Sequence, residues 1–302
     1  MNNDYQHFTG KDGKLIFYLE WMIPNPKANI CIIHGMSDHI ARYEHFAKAL
    51  NEQGYSVYGL DMRGHGMTGL THNELSHYYG KDGFESIKSD ILKLVELQNA
   101  KKSSSKTFII AHSMGTFVAR DLVNSFPERF SGAVFMGTAK YRPILDKKLT
   151  DFLAKGVNED RLAKQLFSVS LKIANMKNEH KTDFDWVSRD DEYIKDFLSD
   201  NLVGYAPHFN SVLEVLNELR ILYDLEKSNV PIDIPILFIS GTNDPVGEYG
   251  KGVFSVYKTY KKRNCKDVKI ILLKDMRHEI INEINKERVH KTIIDWINSK
   301  NI

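Results

Sequence analysis

Cysteine is scarce in this chain, with two residues, Cys31 and Cys265, among 302. Two cannot make a disulfide framework, and neither stands at metal-ligand spacing, so a stapled small fold and a zinc module are excluded and reduced surroundings are expected. Long apolar runs are also missing. None reaches the roughly 18 residues that a membrane-spanning helix requires. The opening MNNDYQHFTGKDGK is polar and lacks the apolar stretch of a secretory signal, so the expected location is the cytoplasm. Charge of one sign is lacking too: 41 Lys and Arg against 39 Asp and Glu leave +2. The two signs are interspersed, whereas a nucleic-acid binder concentrates its basic residues, so no nucleic-acid partner is expected. There is no internal repeat, no low-complexity tract and no G-x-G-x-x-G or Walker pattern. What remains is an ordinary globular composition, 42% hydrophobic and 26% charged, sufficient for one large α/β domain or two small ones.

Short apolar runs recur instead. Leu15 to Met22, Asn29 to Ile33, Tyr55 to Leu60, Thr107 to Ala111 and Ser131 to Met136 read as strands, four of them almost continuously apolar. Helical periodicity separates them over Ile40 to Gln53, Phe84 to Gln98 and Met114 to Phe126, and Gly54 is placed to stop the first of these. Strict alternation with buried strands predicts a parallel sheet covered by helices on both faces. The alternation breaks at about residue 140. From there to Pro207 no strand-like run occurs, and amphipathic helices are expected, including Arg161 to Met176 and Asp190 to Leu198. Strands return at Ile234 to Ser240 and Val268 to Leu273, with helices over Gly250 to Lys262 and Ile284 to Ser299. The reading is therefore an α/β core over 1–139 and 208–302, interrupted by a helical cap over 140–207 before the last two strands. Such a cap would sit over the C-terminal edge of the sheet, where ligands of open α/β sheets bind.

The segment KTFIIAHSMGTFVARDLVNSF passes from strand to helix with Ser113 at the corner. A corner that sharp crowds the residues two before and two after it, and here both are small, Ala111 and Gly115. This is G-x-S-x-G with Ala in the first place, a nucleophile elbow that holds the hydroxyl outward. A Ser that merely caps a helix is the plainer alternative. A serine hydroxyl needs a base within reach and a third group to orient that base. Two later strands run into ISGTNDPVG and LKDMRHE, which supply Asp244 and His278 in the chain order Ser, Asp, His. Asp244 could be only a turn residue before Pro245, and His278 only one loop histidine among 12. Asp275 is a rival acid, less free to face the imidazole because it lies three residues before it. HEIIN at 278–282 fails as a zinc motif, since Asn282 stands where the second histidine belongs. His112 is read as structural, pointing away from Ser113. For an oxyanion, Met114 N–H follows the nucleophile and Met36 N–H, in the loop after the second strand, is the other donor chosen. Gly64 to Gly66 reads as a packing turn near the site.

HGMSDHIARYEHFAKAL, YGLDMRGHG, AHSMG, ISGTNDPVG and RHEIINE together resemble the monoacylglycerol lipase and lysophospholipase group of α/β hydrolases, also described as serine aminopeptidase-like. DWVSRDDEYIKDFLSDNLVGY looks like the cap segment of bacterial lysophospholipase-like members. The resemblance implies an eight-stranded sheet with a helical cap, no cofactor and no metal, a triad of Ser113, Asp244 and His278, and oxyanion donors at Met36 and Met114. Ala111 departs from the family's usual glycine. The implied activity is hydrolysis of lipid-like carboxylic esters such as monoacylglycerols or lysophospholipids through an acyl-enzyme. Small esters, amides or a binding protein without catalysis are the alternatives. Leu162, Leu166, Val169, Ile173 and Met176 form one helical stripe flanked by lysines. It is expected to pack on the sheet domain and line an acyl pocket, with transient contact with a membrane surface as the second reading.

Overall fold

The computed structural model describes residues 4–77, 82–101, 106–143, 159–179, 181–228 and 230–300. Eight strands form one sheet: β1 (Gln6–Thr9), β2 (Leu15–Trp21), β3 (Ala28–Ile33), β4 (Tyr55–Leu60), β5 (Thr107–His112), β6 (Gly132–Met136), β7 (Ile236–Gly241) and β8 (Val268–Leu273). Their spatial order is β1-β2-β4-β3-β5-β6-β7-β8. β1 and β2 pair antiparallel, as do β2 and β4, and every later pair is parallel. The central strands are apolar throughout because both faces are covered. In β5, Phe108 and Ile110 enter one core while Ile109 and Ala111 enter the other, since successive side chains point to opposite faces.

Helices α1 (Glu44–Glu52) and α9 (Lys286–Asn298) pack on one face through Phe46, Leu50, Ile293 and Ile297. The other face carries α3 (Gly83–Ala100), α4 (Gly115–Ser125), α7 (Phe209–Ser228) and α8 (Lys251–Lys262), while the short α2 (Gly66–Thr71) follows β4. Between β6 and β7 the described chain is helical, with α5 (Glu159–Asn175), α6 (Asp191–Ser199) and α7. No helix among the described residues is long and apolar enough to cross a membrane.

Gly54 does end the first helical stretch, at φ 90°, although that stretch opens as a 3-10 turn, Ile40–Tyr43, before α1 begins. At the 64–66 loop, a Cβ on Gly66 would lie 2.2 Å from Asp61 Oδ2. The Asp61 carboxylate fills that space and accepts from Ile40 and Met67 N–H at 2.8 and 2.7 Å. The loop is thus a packing turn. Register carries the ends of the parallel strands to one edge, with Ile33 opposite Ala111, His112 opposite Met136 and Gly241 opposite Leu273.

Candidate active site

At that edge β5 turns into α4 within two residues. Ser113 takes φ 51°, a left-handed conformation that costs a non-glycine residue energy and persists only when its surroundings impose it. The surroundings are the backbone at the end of β3 and the start of the loop after it. A Cβ on Gly115 would stand 2.3 Å from the His34 carbonyl oxygen and 2.7 Å from that of Ile33, so only glycine lets α4 approach so closely. Ala111 is fully buried between Ile33 and Phe135, and the corner closes with its methyl group in place. Ser113 N–H donates to Met136 C=O at 2.9 Å, while its own C=O accepts from Thr116 N–H and Oγ1 at 2.9 and 2.6 Å. The backbone at the corner is held from both sides.

His278 Nδ1–H donates to the Asp244 carboxylate, 2.9 Å from Oδ1. Both are almost wholly buried. The Asp244 carboxylate also accepts from Ser240 Oγ and Val246 N–H, each at 2.9 Å. Burial alone would raise its pKa, but His278 first, then the Ser240 hydroxyl and the backbone N–H of Gly247, outweigh it and hold the carboxyl below its usual range. The imidazole shows the opposite balance. Burial acts to lower its pKa, and the charge of Asp244, with Glu279 and Asp38 beyond it, raises it above 6.5. Asp275, the rival acid, is exposed. Gly137, at φ 61°, makes room for the pair, because a Cβ there would lie 3.1 Å from the imidazole and 3.3 Å from Asp244 Oδ2.

Ser113 and His278 line one cavity of about 190 Å³ with Met36 and Met114. Its other walls are mostly apolar, including Phe117, Phe167, Trp186 and Phe197. Among the described residues neither Met36 N–H nor Met114 N–H donates to a protein acceptor. Both are available to an anion, and Met114 immediately precedes the positive end of α4. Gly35 lets the β3 loop reach this point, since a Cβ there would be 3.2 Å from Ser113 Cβ.

Sequence reasoning misplaced one contributor, His112, and gave no role to three others. His112 does not turn away from the site but lines the cavity, its ring 4.6 Å from that of His278. Burial, then the charge of His278, pushes its pKa down to about 4, so it is neutral at physiological pH. Asp38, Arg42 and Glu279 form the rest. Arg42 pairs with Asp38 and, at 2.7 Å, with Glu279, thereby tying the β3 loop to the residue after His278. Tyr193, from α6, donates to the same Glu279 carboxylate. The Asp38 and Arg42 spacing of four within HGMSDHIARY was the signal available.

The later part of the β6–β7 segment is fastened to both loops. Glu279 N–H donates to Val187 C=O at 2.8 Å, Gly204 N–H to Ser37 C=O at 3.0 Å, and His39 Nε2 meets Asp200 Oδ2 at 2.8 Å. The apolar stripe of α5, in contrast, does not pack as one surface, contrary to expectation. Leu166 packs with Ala163, Phe209 and Leu213, but Val169, Ile173 and Met176 are 51%, 58% and 70% exposed. The side chain of Leu162 falls outside the described residues. Phe167, off the stripe, is the α5 residue that faces the cavity. Among the described residues no three His, Cys, Asp or Glu side chains converge as a metal ion would need.

A mostly parallel eight-stranded sheet with an elbow after β5, an acid after β7 and a histidine after β8 is the architecture of the α/β hydrolases. Within that class, the chain belongs to the family described as serine aminopeptidase S33, whose model matches residues 24–285. It is 24% identical to a monoacylglycerol lipase of Mycolicibacterium smegmatis over 298 residues, covering 96% of this chain and 95% of that protein. It is also 24% identical to a probable lysophospholipase L2 of Haemophilus influenzae, over 97% of this chain and 90% of the relative. Among solved structures, a thermostable carboxyl esterase from Bacillus coagulans in complex with glycerol superposes with a TM-score of 0.86 at 25% identity, covering 99% of each chain.

Proposed function

We propose that the protein is a serine hydrolase of lipid-like carboxylic esters, with monoacylglycerols and lysophospholipids as the substrate classes. The observation that carries this reading is the 2.9 Å bond between His278 and Asp244 beside a Ser113 in left-handed conformation, within one apolar cavity. In the proposed reaction His278 takes the Ser113 proton as Oγ adds to the acyl carbonyl. Met36 and Met114 N–H receive the oxyanion. The alkoxide leaves with the proton from His278, and the acyl group stays on Ser113. Water then loses a proton to His278, adds to the acyl carbon and releases the fatty acid, while Ser113 regains its proton. Asp244 keeps the tautomer and stabilises the imidazolium. The expected cap, 140–207, of which 144–158 and 180 lie outside the described residues, shapes the acyl side.

The names of the relatives support a lipid ester, and the glycerol in the Bacillus coagulans esterase is consistent with a polyol leaving group. A second reading, hydrolysis of small non-lipid esters or amides, has the cavity's size in its favour: about 190 Å³ lies below the ~300 Å³ at which pockets for drug-sized ligands begin. The test is labelling by a fluorophosphonate probe beside Ser113→Ala, with monoacylglycerol, lysophosphatidylcholine and p-nitrophenyl esters of increasing chain length offered to the wild type. Labelling lost in the variant together with fatty-acid release supports the proposal. Cleavage of acetyl esters alone supports the second reading.

A further inference from the structure

The near-neutral total charge hides a local excess. Residues 251–274 hold eight Lys or Arg and a single acid, Asp267, in a chain whose sum is +2. Asp267 is itself paired with Lys300 at 2.6 Å and Lys266 with Asp233 outside the segment, which leaves seven of the eight cations to set the local charge. In α8, Lys251, Phe254, Lys258, Lys261 and Lys262 are exposed at spacings that place them on one face, and the helix contains no acid. Favourable interaction with the helix dipole accounts for Lys261 and Lys262 in the last turn. It does not account for Lys251, which sits in the first turn without an acidic companion.

Apolar groups stand among these cations. Phe254 is 43% exposed and stacks on Tyr257. Lys258 Nζ lies 4.5 Å above the Phe254 ring. Leu272 of the edge strand β8 is 41% exposed and adjoins the start of α8, where a Cβ on Gly250 would be 2.9 Å from its Cδ1. The surface continues into α5. Lys177, just past the end of α5, lies 3.5 Å over the ring of Tyr249, which precedes α8. On α5 itself the exposed Val169 and Ile173 alternate with exposed Lys172 and Lys164, and the exposed Met176 follows directly after its last residue.

We propose that the outer face of α8, with Leu272 of β8 and the exposed stripe of α5, is a docking surface for an anionic lipid bilayer. A bilayer surface supplies both things this face presents groups for, a negative potential for the ammonium groups and an apolar boundary for the side chains between them. A nucleic acid would use the cations but leave Leu272, Ile173 and Met176 facing water. Of the elements on this surface, α5 also lines the cavity, through Phe167. The inference extends the lipid-ester reading to where such a substrate is met, yet its test is independent of it.

The test is vesicle flotation of the full chain with phosphatidylcholine alone and with about one third phosphatidylglycerol, at low and high salt. The wild type is expected to float with the anionic vesicles only, and about 0.5 M salt is expected to release most of it, because the charges sit outside the protein interior and are screened. Lys258→Gln/Lys261→Gln/Lys262→Gln should weaken partition by about two orders of magnitude, at roughly a factor of five per lysine. Hydrolysis of a soluble p-nitrophenyl ester, and the circular dichroism spectrum, should be unchanged in that variant. Equal flotation with neutral vesicles, no loss in the triple variant, or salt-sensitive retention of a DNA oligomer without vesicle binding would each overturn the proposal. A wild type that floats but cleaves no ester would leave the docking surface standing and remove the lipid-hydrolase reading.

Discussion

His278 Nδ1 and Asp244 Oδ1 stand 2.9 Å apart with neither group open to solvent. The imidazolium is therefore stabilised relative to a free histidine, despite the burial that opposes it. A base that must be neutral to accept the Ser113 proton is disabled as it protonates, so kcat/KM should fall on the acid side with an apparent pKa above 6.5. In Asp244→Asn the strongest raising partner is gone and only the more distant Glu279 and Asp38 oppose burial, so this limb should move to lower pH. The plateau kcat should drop by about 10³ to 10⁴ as the tautomer is lost. A pH–rate profile of both proteins on a soluble ester checks both expectations, and an unshifted limb would argue that another group titrates.

The Gly115 contact predicts a separable defect. In Gly115→Ala the new methyl would meet the carbonyl oxygens of His34 and Ile33, at the end of β3, at 2.3 and 2.7 Å. Backbone cannot yield as a side-chain tip can, so the variant should lose about 1–3 kcal/mol or more of stability. Ser113 should also be displaced from its strained corner. Urea midpoints together with the rate of fluorophosphonate labelling measure the two effects. Ala111→Gly, where the existing methyl already fits, should change labelling little.

Much of the site was legible because its determinants are local. The elbow is a string of small residues around Ser113, and buried parallel strands are continuous apolar runs that end where Asp244 and His278 begin. Other features were not local. β1, Gln6–Thr9, is four residues, mostly polar and exposed, at the sheet edge, and carries no strand signature. Helix α7 was not read as an element because its buried face includes charges. Glu226 there pairs with Arg120 at 2.7 Å, and Glu218 faces Lys88 at 3.7 Å. Those partners lie more than 100 residues away in sequence, so the acids looked like solvated positions. The stripe of α5 illustrates the converse: periodicity identified the helix but not which face meets protein.

Arg42 joins two carboxylates that belong to different loops. Arg42→Ala would leave Asp38 and Glu279 buried without their cation, which should cost about 3–5 kcal/mol. Because Asp38 also accepts from Gly35 N–H, next to the Met36 donor, kcat should fall more than KM rises. Arg42→Lys keeps the charge but not the fork that reaches both acids, and should be intermediate in each measurement. Denaturation curves and steady-state kinetics on one soluble ester would test this, and wild-type kcat in the alanine variant would remove Arg42 from any positioning role.

Helix α7 makes stability depend on pH through two carboxyls remote from Ser113. Burial pushes Glu214 up to about 7, and its Oε2 is enclosed without a hydrogen-bond partner. Glu218 is raised too, by burial first, with Lys88 opposing and Asp121 and Glu85 adding to the rise. A carboxyl whose folded pKa exceeds its unfolded value of 4.5 holds a proton in the native state that the unfolded chain has already lost. Stability should therefore decline as pH rises from about 4.5 through the folded values, since the native state binds more protons. Glu214→Gln replaces the acid by a neutral group of the same shape and should flatten the part of that decline below about pH 7, leaving the part due to Glu218. The difference between variant and wild type should be small at pH 5 and favour the variant at pH 8, read from urea unfolding at both. A variant that is less stable at pH 8 would mean that Glu214 is ionised and paired in the folded protein.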